Sequence, residues 1–488
     1  MLSSHSEIRR EVVRVFVVCW LAYVVSWAPY IIREHYPAAS AAESGTLNVA
    51  RYIRWSDDIF AVRPGVAFIN NNPGASLTAA IPLILLRPVL ERVDSWNQRQ
   101  PAPPAGEPRE GESFRIAVSQ RRGCYFLLIG FLTTALVMAP ATAGMLAYLC
   151  SRLIAGGVSA PAASFMAIVC GLATPLLFRA GLLNHNLLVA DAGFIALLVL
   201  WDPSDRALTL SRVLTAGLLC GYALLCDYSG AVVVAVAALY VWQRADGASS
   251  RLRSLAMFAA GVVPGIAILF ACQAWAFGSF YHPAQYYMTP TAPTAHGYRG
   301  FDWPSPALAW ALLADPRFGI FAYAPGLILA FAAPFVKRAR PRIPRRESRL
   351  VLTYFATFLL FCSANRYAWL QPLTGFRYLV PVVPGMALLA METAAALPAL
   401  VRWSLAGLSA IQMALMTWPH ENDVRRTLDV LFARRFAPAW LTWMREAGAP
   451  LPWIHAAEGL AAAALGVVLL EIFLLLRKYR RKLTPQPN

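Results

Sequence analysis

Two adjacent carboxylates, Asp57 and Asp58, stand in the polar stretch "RWSDDIFAV" that follows the first long apolar run of the chain. Neighbouring side chains in a strand or loop point apart, so one of the two faces a site while the other caps a turn or is solvated. A carboxylate beside a membrane surface can take the proton of an acceptor hydroxyl or hold a divalent cation against a phosphate. The structural alternative is a helix N-cap or turn, where Ser and Asp are preferred.

A second group of residues is suited to binding an anion. The planar fork of donors on arginine matches phosphate oxygens, and a helix N-terminus also holds anions well. The predicted donor-phosphate-binding residues are Arg377, Arg366, Arg179 and, in "NNNPG" before a helix, Asn71 and Asn72. Two structural alternatives stay open: Arg377 as a snorkelling anchor of an apolar span, and the asparagines as caps of a turn.

Further polar and aromatic residues lie at loop ends on the same predicted face of the membrane. The predicted substrate-binding residues among them are His185, Asn184, Asp227, Tyr378, Trp369 and His282. Their spacing matches no metal motif, and a lone His such as His282 is more often a polar loop residue than a ligand. We therefore predict no required cofactor, with Mg²⁺ or Mn²⁺ at Asp57 or Asp58 as the alternative.

The elements that must position these residues are membrane-spanning helices. Hydrophobic residues make up 58% of the 488 residues and charged residues 14%, whereas about a quarter of a soluble domain is charged. Many apolar stretches are long enough to cross a bilayer. We predict a single all-α polytopic membrane domain over 1–488 with about twelve transmembrane helices (eleven to thirteen). The predicted spans lie near 12–32, 124–150, 161–178, 187–201, 213–226, 229–242, 255–275, 317–336, 350–363, 377–399, 403–418 and 456–476.

The placement of positive charge predicts the orientation of the chain. The formal net charge is +17, and the basic residues cluster beside apolar runs, as in 337–349 and 477–482. This is the positive-inside pattern of a membrane protein, so a nucleic-acid partner is not expected. Both termini, including the basic tail 477–488, are predicted to be cytoplasmic.

The long segments between spans then fall on the outer, periplasmic or extracellular face of a cell (inner) membrane. These outer segments are 33–123, 276–316 and 419–455. The first precedes spans 2–7 within 124–275, the second separates these from spans 8–12 within 317–476, and the third lies before the last span. The first contains 74–92, which has few clean apolar residues and basic residues at its end. We predict that it is an interfacial helix rather than a span, although a crossing helix is the alternative.

This order of elements resembles the GT-C superfamily of membrane glycosyltransferases, particularly the bacterial family 39-like group related to dolichyl-phosphate-mannose–protein mannosyltransferases. The similar stretches are "SDD", "NNNPGASLTAAIPL", "FGSFYHPAQYY", "DPRFGIFAYAPGLILA" and "GFRYLVPVVPG", with the apolar hairpins of 171–200 and 217–242. The resemblance implies that Asp57 or Asp58 is the catalytic base or a metal ligand. The chain differs from the family in three places: it has Asn184, His185 and Asn186 where a second acidic residue is frequent, Asn71 and Asn72 where a lysine often precedes Pro-Gly, and Cys226 and Asp227 where another lysine is common.

The predicted function is transfer of a sugar from a polyprenyl-phosphate donor to a protein, lipid or polysaccharide acceptor on the outer face. Membrane lipids are the other expected partners. A transporter or lipid flippase is the rival from another class, and twelve spans would suit one. No internal duplication is evident, however, and the polar groups gather on one face rather than at mid-membrane. A catalytically inactive protein of the same fold is the third alternative.

Overall fold

The computed structural model describes residues 5–101, 113–288, 290–336, 343–373, 377–421, 424–433 and 436–483. The Pro-rich part of the first outer segment, parts of the basic stretch 337–349 and of the segment 419–455, and the end of the tail 477–488 lie outside the described residues.

The described chain is almost entirely helical. Its first half contains α1 His5–Val25, α2 His35–Ser44, β1 Ile59–Arg63, β2 Val66–Ile69, α3 Gly74–Leu85, α4 Arg87–Arg99, α5 Ser113–Ser119, α6 Gly123–Thr133, α7 Ala139–Ala155, α8 Ala160–Leu172, α9 Leu176–Ala180, α10 His185–Leu200, α11 Leu210–Cys226 and α12 Gly230–Arg244. Its second half contains α13 Ala248–Phe277, α14 Pro306–Ala314, α15 Ile320–Tyr323, α16 Arg345–Ala364, α17 Val383–Ala394, α18 Ala399–Thr417, α19 Val424–Ala433, α20 Ala439–Glu446 and α21 Leu451–Leu483. Short 3₁₀ helices include Pro325–Phe335 and Arg366–Leu373.

Each of the twelve predicted spans overlaps a helix in the described part of the chain, although the first extends seven residues beyond the end of α1 at Val25. Five helices there are long and apolar enough to cross a membrane alone: Gly123–Ala155, Ala248–Phe277, Arg345–Ala364, Ala399–Thr417 and Leu451–Lys478. The other predicted spans are α1 and six shorter apolar helices of 10–17 residues. One of these, α10, is buried on nearly all sides. A short helix is tolerated there because its ends face protein rather than lipid head groups.

Close helix contacts in the bundle depend on small residues. Gly217 in α11 and Gly261 in α13 face each other so closely that a Cβ on Gly217 would lie 2.3 Å from the carbonyl oxygen of Phe258. Gly221 and Gly265, one turn further along, form a second such contact. Glycines four residues apart on both helices let the backbones approach, which stabilises helix pairs in membranes. This pairing holds the α11–α12 turn, with Asp227, in a fixed place.

The described part of the first outer segment folds against the helix ends. An antiparallel hairpin of β1 and β2 follows α2. The segment 74–92, predicted as one interfacial helix, is broken into two helices, because α3 and α4 meet at an angle of 82°. Pro88, in the first turn of α4, supplies no backbone N–H and its ring clashes with the preceding turn, so the helix breaks at this point.

The turn "NNNPG" is fixed to the end of α11. A Cβ on Gly74 would lie 2.7 Å from backbone atoms of Leu225 and Cys226, so only glycine allows this approach. The side-chain amide of Asn72 donates to the carbonyl oxygen of Leu224 at 2.9 Å. The first outer segment is thereby attached to the same helix end that presents Asp227.

Candidate active site

A polar cavity lies at the end of the bundle where the first outer segment, the start of α10, the α11–α12 turn and the chain before α17 meet. It encloses about 530 Å³ of empty space, its open mouth included. Its polar and charged lining includes Arg33, Asn70, Asn71, His185, Asn186, Asp227, Ser229, Tyr367, Arg377 and Tyr378. The structure therefore brings five of the sequence-predicted site residues into one cavity: Asn71, His185, Asp227, Arg377 and Tyr378.

The two adjacent aspartates are placed differently. Asp58 lies at the edge of the cavity, where its Oδ1 is 3.0 Å from Nη1 of Arg33 and accepts from the amide of Asn70 at 2.8 Å. Its side chain is 39% exposed, and no described residue bonds to Oδ2. Asp57 is exposed, and its side chain forms no hydrogen bond or ion pair with another described residue. Only Asp58 is connected to the cavity.

Arg33 and Glu34, directly after the first apolar run, were missed by the sequence reasoning. Burial lowers the pKa of Arg33, but the carboxylates of Asp58 and Glu34 raise it more, so the net shift is upward. Burial likewise raises the pKa of Glu34, yet His185 and Arg33 reverse this effect, and the pKa of Glu34 lies well below its usual range. The one available signal was the charged pair "RE" at the end of an apolar run.

Arg377 and Arg179 form a buried cationic region. Arg377 is 9% exposed, and its guanidinium lies 4.5 Å from the centre of the Tyr378 ring, whose hydroxyl accepts from Nη2 at 2.5 Å. Among the described residues no carboxylate lies within ion-pair distance of Arg377. Burial lowers the pKa of Arg179 to about 9, and the positive charge of Arg377 acts in the same direction. Two buried arginines near each other favour an anion in this cavity.

Some buried polar atoms of the lining have no hydrogen-bond partner among the described residues. These atoms are Oδ1 of Asn186, Oγ of Ser229 and Nε of Arg377. Buried polar groups are nearly always hydrogen-bonded, because leaving one unpaired costs about 1–3 kcal/mol. Acceptor and donor atoms left open in one small cavity are typical of a site that binds a polar ligand.

Several predicted site residues have structural roles or lie elsewhere. The Asn184 side chain caps α10 by accepting from the backbone N–H of Leu187 at 3.1 Å. Arg366 forms an ion pair of 2.7 Å with Asp302. Trp369 is exposed, and His282 stacks on Tyr286 with ring centres 4.2 Å apart. The structure therefore does not bring Arg366, Trp369 or His282 into the cavity.

An apolar groove adjoins the polar cavity and shares Asn71 with it. The groove runs between β2, the start of α3 and the outward face of α13, and encloses about 530 Å³ with its mouth included. Phe68, Leu269 and Trp275 are among its walls. Trp275 is 51% exposed on the face of α13 that a bilayer would cover. The combination suits a molecule with an anionic head and an apolar tail.

No protein-family model matches the chain, and no curated protein sequence matches it. Two solved structures resemble it. The structure of ArnT from Cupriavidus metallidurans bound to undecaprenyl phosphate is 14% identical with a TM-score of 0.50, over 97% of this chain and 77% of that chain. The oligosaccharyltransferase AglB from Archaeoglobus fulgidus, with an inhibitory peptide and a dolichol-phosphate, is 13% identical with a TM-score of 0.37, over 89% and 58%. The likeness to ArnT concerns the fold alone, and it confirms the predicted all-α polytopic fold.

Proposed function

We propose that this protein is a glycosyltransferase of the cell (inner) membrane that transfers a sugar from a polyprenyl-phosphate donor to an acceptor hydroxyl on the outer face. One observation carries the proposal: the polar cavity, with its buried unpaired donors and acceptors, opens beside an apolar groove that shares Asn71 with it. A lipid phosphate sugar has the matching chemistry, because its head is polar and anionic while its tail is a hydrocarbon.

Arg377 is the proposed contact of the donor phosphate. Its guanidinium has an open Nε donor and is held flat against Tyr378, so it is pre-oriented for a planar hydrogen-bonded contact. Arg179, which does not line the cavity, adds positive charge near Arg377. This arrangement stabilises the negative charge that develops on the phosphate as the sugar leaves.

Asp58 is the proposed base. It takes the proton of the acceptor hydroxyl while that oxygen attacks the anomeric carbon, and the configuration at that carbon is inverted. Arg33 and Asn70 bind Oδ1 of Asp58, which orients the carboxylate while Oδ2 is left for the acceptor. The mechanism requires no metal, since arginine alone can stabilise a lipid monophosphate; Mg²⁺ or Mn²⁺ at Asp58 is the alternative, and activity in EDTA separates the two.

A pair of neighbouring substitutions tests the function. Membrane vesicles containing the full-length protein receive a panel of undecaprenyl-phosphate hexoses and pentoses labelled in the sugar, and the label that leaves the lipid is measured. We expect one donor to be consumed by the wild type and by Asp57→Asn. We expect the rate of Asp58→Asn to be lower by about 10³-fold, because its base is removed.

Asp57→Asn is the matched control, since it makes the same chemical change one residue away on an exposed side chain. Equal rates for Asp58→Asn and the wild type would contradict the assignment of the base. Consumption of no donor by the wild type would contradict the proposed function.

A further inference from the structure

A histidine between two carboxylates forms one wall of the polar cavity. Oε1 of Glu34 lies 2.5 Å from Nδ1 of His185, and Glu34 is almost fully buried. On the other side of the ring, Nε2 of His185 lies 3.7 Å from Oδ2 of Asp227. The three residues come from the segment before α2, the first turn of α10 and the α11–α12 turn. This wall is therefore built from three parts of the chain.

The hydrogen bond to Glu34 determines which ring nitrogen is available. Glu34 is ionised and accepts hydrogen bonds from Nδ1 of His185 and from the amide of Asn71. Nδ1 therefore carries a proton, and the ring orientation is set. The distance from Nε2 to Asp227 is longer than a hydrogen bond, and no described residue bonds to Nε2. Asp227 instead accepts from the backbone N–H of Ser229 through Oδ1 at 2.8 Å.

We propose that protonated His185 donates its Nε2 proton to the phosphate oxygen that leaves the sugar, and that Glu34 is the positioning residue that orients the ring. This inference rests on the function proposed above. The bond between the anomeric carbon and the phosphate oxygen breaks, and its electron pair stays on that oxygen, which takes the proton from Nε2. The acceptor oxygen forms the new bond to the carbon, and its proton passes to Asp58. His185 regains a proton from water at the cavity mouth.

The leaving group suits this transfer. A phosphate monoester binds its second proton with a pKa of about 6, so the oxygen that leaves the sugar becomes a proton acceptor as the bond breaks. A positioned general acid typically contributes about 10²-fold or more to the rate. Arg377 cannot fulfil this role, because a guanidinium does not release its proton.

The test compares turnover with lipid binding at one pH. The donor is the lipid phosphate sugar found in the panel, the binding probe is the methyl phosphodiester of undecaprenol, and the full-length protein is in nanodiscs. We expect the kcat of His185→Gln to be about 10²-fold below that of the wild type, because the leaving oxygen has lost its proton donor. The same variant should bind the probe about as tightly as the wild type, because glutamine retains a hydrogen-bond donor.

Three further variants separate a functional role from a structural one. Glu34→Gln should lower kcat less than His185→Gln does, because the ring is less firmly oriented but its proton donor is still present. Glu34→Asp should recover part of that loss, while probe binding stays unchanged in both variants. His282→Ala, outside the cavity, should behave as the wild type.

The outcomes distinguish the inference from the proposed function. A His185→Gln variant with the wild-type kcat would overturn the role of His185, and so would a loss of probe binding as large as the loss of kcat. An unchanged kcat in Glu34→Gln would overturn the role of Glu34. A wild type that does not bind the probe would contradict the proposed function itself.

Discussion

Two groups of buried charges, one at each end of the helix bundle, differ in how completely their polar atoms are paired. At the end with the chain termini, Glu11 is fully buried and both of its oxygens are paired, Oε1 with Lys478 at 2.8 Å and Oε2 with Arg14 at 2.6 Å. Ser164 also donates to Oε2 at 3.0 Å, and Arg14 reaches Glu471 at 2.6 Å. This cluster joins α1, α8 and α21 and is closed.

At the other end, the charges of the polar cavity are only partly paired. Arg377 has an open Nε donor, and Asn186 has an open acceptor on the cavity wall. A closed cluster of charges stabilises the fold. In an open cluster, part of the desolvation cost of the buried charges is not offset until a ligand provides the missing partner. The difference indicates that substitutions at the first end affect stability and substitutions at the second end affect binding.

The largest expected effect is on stability at the closed end. Glu11→Gln leaves Arg14 and Lys478 without their buried carboxylate, so we expect the free energy of unfolding to fall by about 4 kcal/mol. SDS titration in mixed micelles measures this change. Glu471→Gln is the control, because its side chain is 31% exposed and its loss should cost less than about 1 kcal/mol. A Glu11→Gln protein with wild-type stability would contradict the comparison.

At the open end, we expect the reverse pattern. Arg377→Ala should lower the affinity for undecaprenyl phosphate by about 100-fold, since charge-assisted hydrogen bonds are lost, while stability changes little. Arg377→Lys should recover part of the affinity. The matched control is Arg366→Ala, whose guanidinium is already paired with Asp302 outside the cavity. Equal losses in the two alanine variants would show that general surface charge, rather than the cavity, holds the lipid.

A pH effect is expected from the network that attaches α2 to α6. Burial raises the pKa of Glu43, but Arg122 and the hydroxyls of Tyr125 and Tyr52 outweigh burial, so the net shift is downward. A lowered pKa stabilises the fold above the ordinary value of 4.5, and this stabilisation is lost as the pH falls further. Glu43→Gln should be about 2 kcal/mol less stable at pH 7 and vary less in acid.

The control for Glu43 is a carboxylate that contacts little. Glu91, which is 60% exposed and pairs with Arg87, should show almost no change when replaced by Gln. If the free energy of unfolding changes equally with pH in the wild type and in Glu43→Gln between neutral and acid pH, the role of the Glu43 network is contradicted.

The smallest effects are expected at predicted site residues that lie outside the cavity. His282→Ala and Trp369→Ala should change the affinity for undecaprenyl phosphate less than about twofold, because neither side chain lines the polar cavity or the apolar groove. The same binding assay measures both. A loss comparable to that of Arg377→Ala would show that the chain around the substituted residue contacts the ligand.

Much of the fold was predictable because long apolar runs have few alternatives in a membrane. All twelve predicted spans overlap described helices, and charge placement predicted that Asp58 and His185 would share a face. The break between α3 and α4 was not predicted, although Pro88 stood in the sequence. Its effect depends on whether neighbouring contacts hold a straight helix or a bent one.

Which of the polar residues form the site could not be predicted from the sequence, for a different reason. Asp57 and Asp58 are chemically identical there, and only the ion pair of Asp58 with Arg33 separates them. Glu34 and His185 are 151 residues apart, so their contact follows from tertiary packing and not from any local pattern. Arg366 and Arg377 likewise differ only because Asp302 neutralises the first.

Photo-crosslinking with undecaprenyl phosphate that carries a diazirine near the phosphate tests the central claim most directly. A second large apolar groove, between α1, α6 and α21, offers an equally lipid-like surface without the polar cavity. The open-cavity account predicts crosslinked peptides from the start of α10, the α11–α12 turn and the chain around Arg377, and their loss in Arg377→Ala. Crosslinks confined to α6 and α21, unchanged in Arg377→Ala, would contradict it.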